Sequence, residues 1–156
     1  MAPIPRIAVA SQAIKILAAA LTRRSGIVAE IGGASVDTTS PPQVLDLRTY
    51  RCASGKRDEF VRLMAEGTVP MLRRDGIEVV SFGPSLHDDD HAYLIRFFES
   101  VEQRADQLAR FYGSEEWRTS FDERVMSLIE TYHVVVVAAS PEVATAMSEL
   151  GSAASG

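Results

Sequence analysis

A chain of 156 residues, 46% apolar and 24% charged, is long enough for one cored domain and too short for two comfortable ones. Its net charge of −5 argues against general nucleic-acid binding, which needs an excess of Lys and Arg to neutralise phosphates. The single cysteine, Cys52, excludes an intrachain disulfide framework and, with no helix N-terminus or histidine motif beside it, reads as an inert small residue.

Charge is spread unevenly. Residues 1–29 carry Arg6, Lys15, Arg23 and Arg24 and no acid, whereas the remainder holds 12 basic and 21 acidic residues. Residues 7–21 are apolar and helix-prone, but they fall short of the roughly 20 apolar residues that span a bilayer, and Lys15 spoils a secretory signal. A basic, amphipathic, acid-free segment suits an organellar transit peptide if the source is eukaryotic; the alternative is a peripheral N-terminal helix. The expected location is therefore cytoplasmic, or mitochondrial for a eukaryotic source. Residues 25–43 are rich in Gly, Ser, Thr and Ala and end in Ser40-Pro41-Pro42, a linker composition. The expected division is a basic helical extension and linker (1–43), a folded domain (44–140), and a short helix with a flexible tail (141–156).

The first strand, 44–51, places Asp46, Arg48 and Tyr50 on one face and Leu45, Leu47 and Thr49 on the other. This alternation predicts one face packed against helices and a polar face lining a cavity. A Ser54-Gly55-Lys56 turn leads into a helix from about Arg57 to Arg74, with Phe60, Met64, Thr68 and Met71 on its apolar stripe. Pro70 should kink it or start a new turn, and Gly76 should end it. Strands follow over 77–82 and 92–98, joined by a hairpin loop. A helix over 100–112 keeps Val101, Ala105, Leu108 and Tyr112 in register. Gly113-Ser114 breaks it, and Ser114 reads as the N-cap of a further helix over 115–128. The last strand, 131–138, has a β-branched run that predicts burial on both faces. Ser140-Pro141 opens a terminal helix.

This βαββαβ order predicts an α+β, ferredoxin-like fold with an antiparallel four-stranded sheet. Such a sheet has helices on one face only, and the bare face would present Val, Ile and Phe. A second copy packing sheet to sheet, a dimeric α+β barrel, is the natural cover.

LDLRTYRCASGKRDEF, EGTVPMLRRDG and AYLIRFFESVEQRADQLARFYGSEEWRTSF, in this order, resemble the NIPSNAP family of the dimeric α+β-barrel superfamily. The resemblance covers about residues 44–140. It implies a ferredoxin-like subunit and a homodimer, and it implies no reaction. Related barrels include haem-degrading and cofactor-free monooxygenases, a likeness of fold alone.

Asp46, Arg48 and Tyr50, joined by Arg96 in the third strand, are the candidate ligand-binding group, with guanidiniums suited to a carboxylate, phenolate or carbonyl. The alternative is a structural ion pair of Arg48 with Asp46 or a neighbouring acid. Tyr112 and Trp117 flank the Gly113 break and could cap the cavity mouth or simply pack. His133 could be a general base or haem ligand, or an ordinary edge histidine. The run His87-Asp88-Asp89-Asp90-His91 lacks ligand spacing of a recognised kind, so no metal and no cofactor is expected. Nucleophile-elbow, phosphate-loop and dinucleotide patterns are absent from the sequence.

The reading favoured by these residues is a dimeric barrel that binds a small anionic or carbonyl-bearing ligand; whether it is an enzyme stays open. The alternatives are a cofactor-free or haem-linked monooxygenase or isomerase acting on a small aromatic or polyketide-like substrate, and an adaptor or membrane-docking protein using the N-terminal segment.

Overall fold

A computed structural model describes residues 41–153 of the chain. The basic segment and most of the linker expected over residues 1–43, and with them the adaptor reading, lie outside the described residues, as does the end of the tail. Strand β1 (Val44–Cys52) leads into α1 (Arg57–Leu63), a π-helical turn (Met64–Thr68) and α2 (Val69–Arg74). Strands β2 (Glu78–Pro84) and β3 (His91–Phe98) form a hairpin. Then come α3 (Val101–Gly113), a second π-helical turn (Trp117–Phe121), α4 (Asp122–Leu128), β4 (Ile129–Ala138) and α5 (Pro141–Ala153). The strands make one antiparallel sheet in the order β2-β3-β1-β4, the ferredoxin-like arrangement expected from the βαββαβ order.

Local chemistry sets the element ends. Gly76 takes φ of +81°, and the Gly76 and Ile77 N–H groups bond back to the carbonyls of Arg73 and Leu72, which closes α2 as a Schellman motif. Pro70 falls in the first turn of α2, directly after the π-helical turn, where its missing N–H costs little. The kink expected at Pro70 thus takes the form of a widened turn just before it. Ser100 caps α3, its Oγ accepting from the Gln103 N–H at 3.1 Å, while the Gln103 side chain accepts from the Glu99 N–H at 2.8 Å. Ser114 likewise accepts from the Trp117 N–H at 3.2 Å, as the sequence predicts.

Helices α1 to α4 cover one face of the sheet. Beneath them lies the main core, in which Tyr50, Leu94 and Phe98 from the strands meet Phe60, Met64, Leu72, Leu108, Phe111 and Trp117 from the helices. Val79 points into this core, and a bulge in β2 between Val79 and Ser81 turns both Val80 and Ser81 to the opposite side. On that opposite face Leu45, Val80 and Phe97 pack with Ala144 of α5, and Leu47, Ile95 and Met147 lie partly buried around them. The terminal helix therefore covers the β2 end of the second face.

One expectation fails within the chain. Strand β4 is an edge strand, and its Val135, Val136 and Val137 are 58%, 38% and 40% exposed rather than buried on both faces. A β-branched run reports what a strand can bury, not what the same chain supplies to cover it. Among the described residues, no helix is long and apolar enough to cross a membrane.

The Ser100 cap should carry its share of α3. Ser100→Ala is expected to lower unfolding stability by about 1 kcal/mol, read from the urea midpoint at unchanged slope. An unchanged midpoint would mean that packing alone fixes the start of this helix.

Candidate functional site

The alternation of β1 holds, with one correction to its meaning. Asp46, Arg48 and Tyr50 do share a face, but it is the helix-covered one, and Leu45, Leu47 and Thr49 point to the other. The polar residues are enclosed between sheet and helices instead of facing a cavity on the bare side. Register explains the company they keep. Asp46 pairs with Arg96 across β1 and β3, and Tyr50 pairs with Tyr132 across β1 and β4.

Asp46 and Arg96 are both fully buried. Arg96 Nη2 donates to Asp46 Oδ1 at 2.9 Å, and Arg104 Nε, reaching down from α3, donates to Oδ2 at 2.6 Å. Both carboxylate oxygens are thus engaged by guanidiniums. Burial alone would raise the Asp46 carboxyl, but Arg96, Arg48 and Arg104 overcome it and hold the group below its ordinary value.

Arg48 takes no share of that carboxylate by hydrogen bond. Its Nη1 donates to the Tyr112 hydroxyl at 2.9 Å, and its guanidinium carbon lies 5.2 Å and 5.7 Å from the ring centres of Tyr132 and Tyr112. Burial disfavours its charge, and the phenols of Tyr112, Tyr50 and Tyr132, together with Asp46, more than restore it. Arg96 Nη1 also donates to Tyr112, at 3.2 Å. Arginine has donors only, so the Tyr112 oxygen accepts from both. Its own O–H proton, while present, is left to point elsewhere. Burial would raise Tyr112, yet the two guanidiniums hold it below the usual tyrosine value. Burial dominates for Tyr50, which is pushed up to about 12. Two further donors, Nε of Arg48 and Nε of Arg96, are buried without a hydrogen-bond partner.

Trp117 closes the other side. Its ring meets Tyr112 edge-on at 5.0 Å and lies nearly parallel to Phe121 at 6.1 Å. Six expected residues, Asp46, Arg48, Tyr50, Arg96, Tyr112 and Trp117, are therefore brought together. His133 is not among them; it pairs with Thr49 on the opposite face, as its alternation with Val135 and Val137 requires. The His87–His91 loop satisfies itself: Asp88 accepts from Ser85 Oγ, from the Asp90 and His91 N–H groups and from the His91 ring, and Arg57 donates to its carbonyl. Cys52 is buried and its thiol is pushed up to about 11 by that burial, in line with an inert residue.

Sequence reasoning missed Arg104 and Tyr132. Arg104 stands four and eight residues before Leu108 and Tyr112, on the side of α3 that faces the sheet, so its place in the pattern carried the signal. Tyr132 alternates inward with Val134 and Val136, on the same side as its partner Tyr50.

An alkaline titration followed by ultraviolet absorbance should separate these phenols. Tyr112 is expected to ionise below the ordinary value of 10.0, and Tyr50 only at about 12. Tyr112→Phe should delete the step below 10.0; its survival would contradict the assignment. Because the native Tyr50 value is raised, its contribution to stability is complete below the unfolded value and is lost as pH rises from 10.0 toward about 12.

Solved structures with the same fold include a NIPSNAP family protein from Agrobacterium tumefaciens, 16% identical with a TM-score of 0.59, the match covering 68% of this chain and 93% of that one. A second NIPSNAP family protein from the same organism, of unknown function, is 22% identical with a TM-score of 0.58, over 64% and 93% of the two chains. A NIPSNAP domain protein from Burkholderia xenovorans is 17% identical with a TM-score of 0.56, over 63% and 95%. No curated protein sequence matches the chain. The NIPSNAP family model matches residues 45–141, more than half of the sequence and nearly all of the sheet with helices α1 to α4, and the chain belongs to the NIPSNAP family.

Proposed function

We propose that this protein binds a small carboxylate- or carbonyl-bearing molecule at the Tyr112 cluster, between the sheet and its helices, and does so as a homodimer. The observation that carries the reading is the charge imbalance: Arg48, Arg96 and Arg104 share one carboxylate, Asp46, whose two oxygens go to Arg96 and Arg104. Arg48 is left with phenols and aromatic faces. The one carboxylate near Arg48 has both oxygens taken by the other two arginines, and an anionic or strongly accepting ligand would fill the hydrogen bonding this buried cation lacks. The buried Nε atoms of Arg48 and Arg96 and the Tyr112 O–H would be donors to its oxygens. The supporting observation for the dimer is the exposure of Val135 and Val137 beside the half-buried Leu47 and Ile95, an apolar strip that a second copy would cover.

A second reading, enolisation or oxygenation of a carbonyl substrate, is favoured by one feature, the lowered Tyr112 phenol between two guanidiniums. In that case Tyr112 is the proton-transfer group and Arg48 with Arg96 stabilise the enolate oxygen. Asp46 is a poor base, since both its oxygens are engaged, and His133 lies on the other face. Exchange of the α-protons of phenylpyruvate with deuterium, lost in Tyr112→Phe, would separate turnover from binding.

Native mass spectrometry of the gently purified full chain, with benzoate, phenylpyruvate and inorganic phosphate as probes, tests the binding reading. A dimer that takes up an oxyanion probe is expected, with occupancy falling at least tenfold in Arg48→Met. Equal occupancy in Arg48→Met, or a wild-type chain that takes up none of the three, would overturn it.

A further inference from the structure

Cover over the inner side of the sheet thins from β3 toward the edge strand β4. Three cross-strand rows repeat the pattern. In the first, Arg96 and Asp46 are fully buried, whereas Val136 of β4 is 38% exposed. In the next, Leu94 is buried, but Arg48 and Val134 of β4 are only half-buried. In the last, Phe98 and Val44 are buried and Ala138 of β4 is exposed. Val134, Val136 and Ala138 point to the side of the helices, because they alternate with Tyr132, which packs against the main core. They are a different set from Val135 and Val137, which share the bare face with Leu47 and Leu45. The helical layer therefore ends over β1 and leaves the inner side of β4 open.

This margin has one cationic end and one apolar run. At the cationic end, Arg48 holds its guanidinium carbon 5.2 Å from the Tyr132 ring centre and donates to the Tyr112 hydroxyl. From its row, Val134, Val136 and Ala138 follow at the two-residue step of a strand, over about 13 Å. Residues 134–138 carry no charge.

We propose that this margin is a tail subsite of the Arg48 site, and that the ligand is an amphiphilic carboxylate with its head on Arg48 and an apolar tail along Val134, Val136 and Ala138. This rests on the binding reading above and adds the ligand class and the side from which it enters. Charge complementarity supports this occupant. The cation stands at the inner end of the apolar run and hydrogen-bonds to no carboxylate, so the two features are ordered as head and tail. Full burial of one methylene tightens binding about fourfold. A tail with one side left in water should gain about twofold for each.

Equilibrium dialysis of the full chain against benzoate, hexanoate and decanoate tests the subsite, with native mass spectrometry of the same samples reading the oligomeric state. Decanoate should bind at least tenfold tighter than hexanoate, and at least tenfold weaker to Arg48→Met than to the wild type. Val134→Thr combined with Val136→Thr keeps the branched shape and should erase most of the chain-length gain, with benzoate affinity changed less than twofold. Val135→Thr, on the bare face, should leave all three affinities as they are. Equal affinity for hexanoate and decanoate, or a gain that survives the paired threonines, overturns the tail subsite; Arg48-dependent uptake of benzoate then leaves the binding reading standing. Decanoate that binds Arg48→Met as well as the wild type overturns both, since the strip is then a plain apolar surface. A dimer that the paired threonines convert to monomer makes a second copy the occupant of this strip and likewise overturns the proposal.

Discussion

The Asp46 carboxylate is the constraint on which the interior depends. It sits near the start of β1, an inner strand, with no exposure, one oxygen bound to Arg96 of β3 and the other to Arg104 of α3. A buried ion pair gains little over an apolar pair, because desolvation consumes the attraction, but losing one partner costs about 3–5 kcal/mol. Asp46 is thus less a source of stability than a condition for the arginines to be inside at all. By holding Arg96 and Arg104 it also fixes the register of β1 against β3 and the rotation of α3. The same helix then delivers Tyr112 to the two guanidiniums that face it.

Around this group the chain accepts several local costs. Three guanidiniums meet one carboxylate, the Nε donors of Arg48 and Arg96 and the Thr68 hydroxyl are buried without a hydrogen-bond partner, a glycine interrupts a helix, and two helices widen into π-turns. Elsewhere the rules of local structure are obeyed: a Schellman close at Gly76, serine caps at Ser100 and Ser114, and a proline placed in a first helical turn. Departures gathered at one place, in a chain otherwise consistent, are the energetic ground for the binding site proposed there.

Much of this was legible in the sequence, for reasons that differ from residue to residue. Period-two alternation gave the strands and put Asp46, Arg48 and Tyr50 together; period-3.6 spacing and the Ser and Gly signals gave the helices and their ends. The alternation of β1 could not say which face the helices would cover, because both faces of a sheet look alike to a single strand. The polar side turned out to be the covered one. Arg104 was hidden because a charged residue on a helix is usually a solvated one, and only its step of four and eight residues to Leu108 and Tyr112 marked it otherwise. The π-turns were foreshadowed by Pro70 alone, and the close approach of Gly67 to the Phe121 ring links segments too far apart for any local pattern. His133 was placed on its correct face, and that face is simply not the one holding the arginines.

The central claim is that Arg48 is a cation kept inside for a ligand and not for the fold. The most direct measurement is the urea unfolding free energy of Arg48→Met against the wild type, both stripped of small molecules by dialysis. The variant is expected to be as stable as the wild type or more so, since Arg48 hydrogen-bonds to no carboxylate and its removal relieves its desolvation. A loss of about 3 kcal/mol or more, the size expected on breaking a buried pair, would make Arg48 a structural residue and contradict the account.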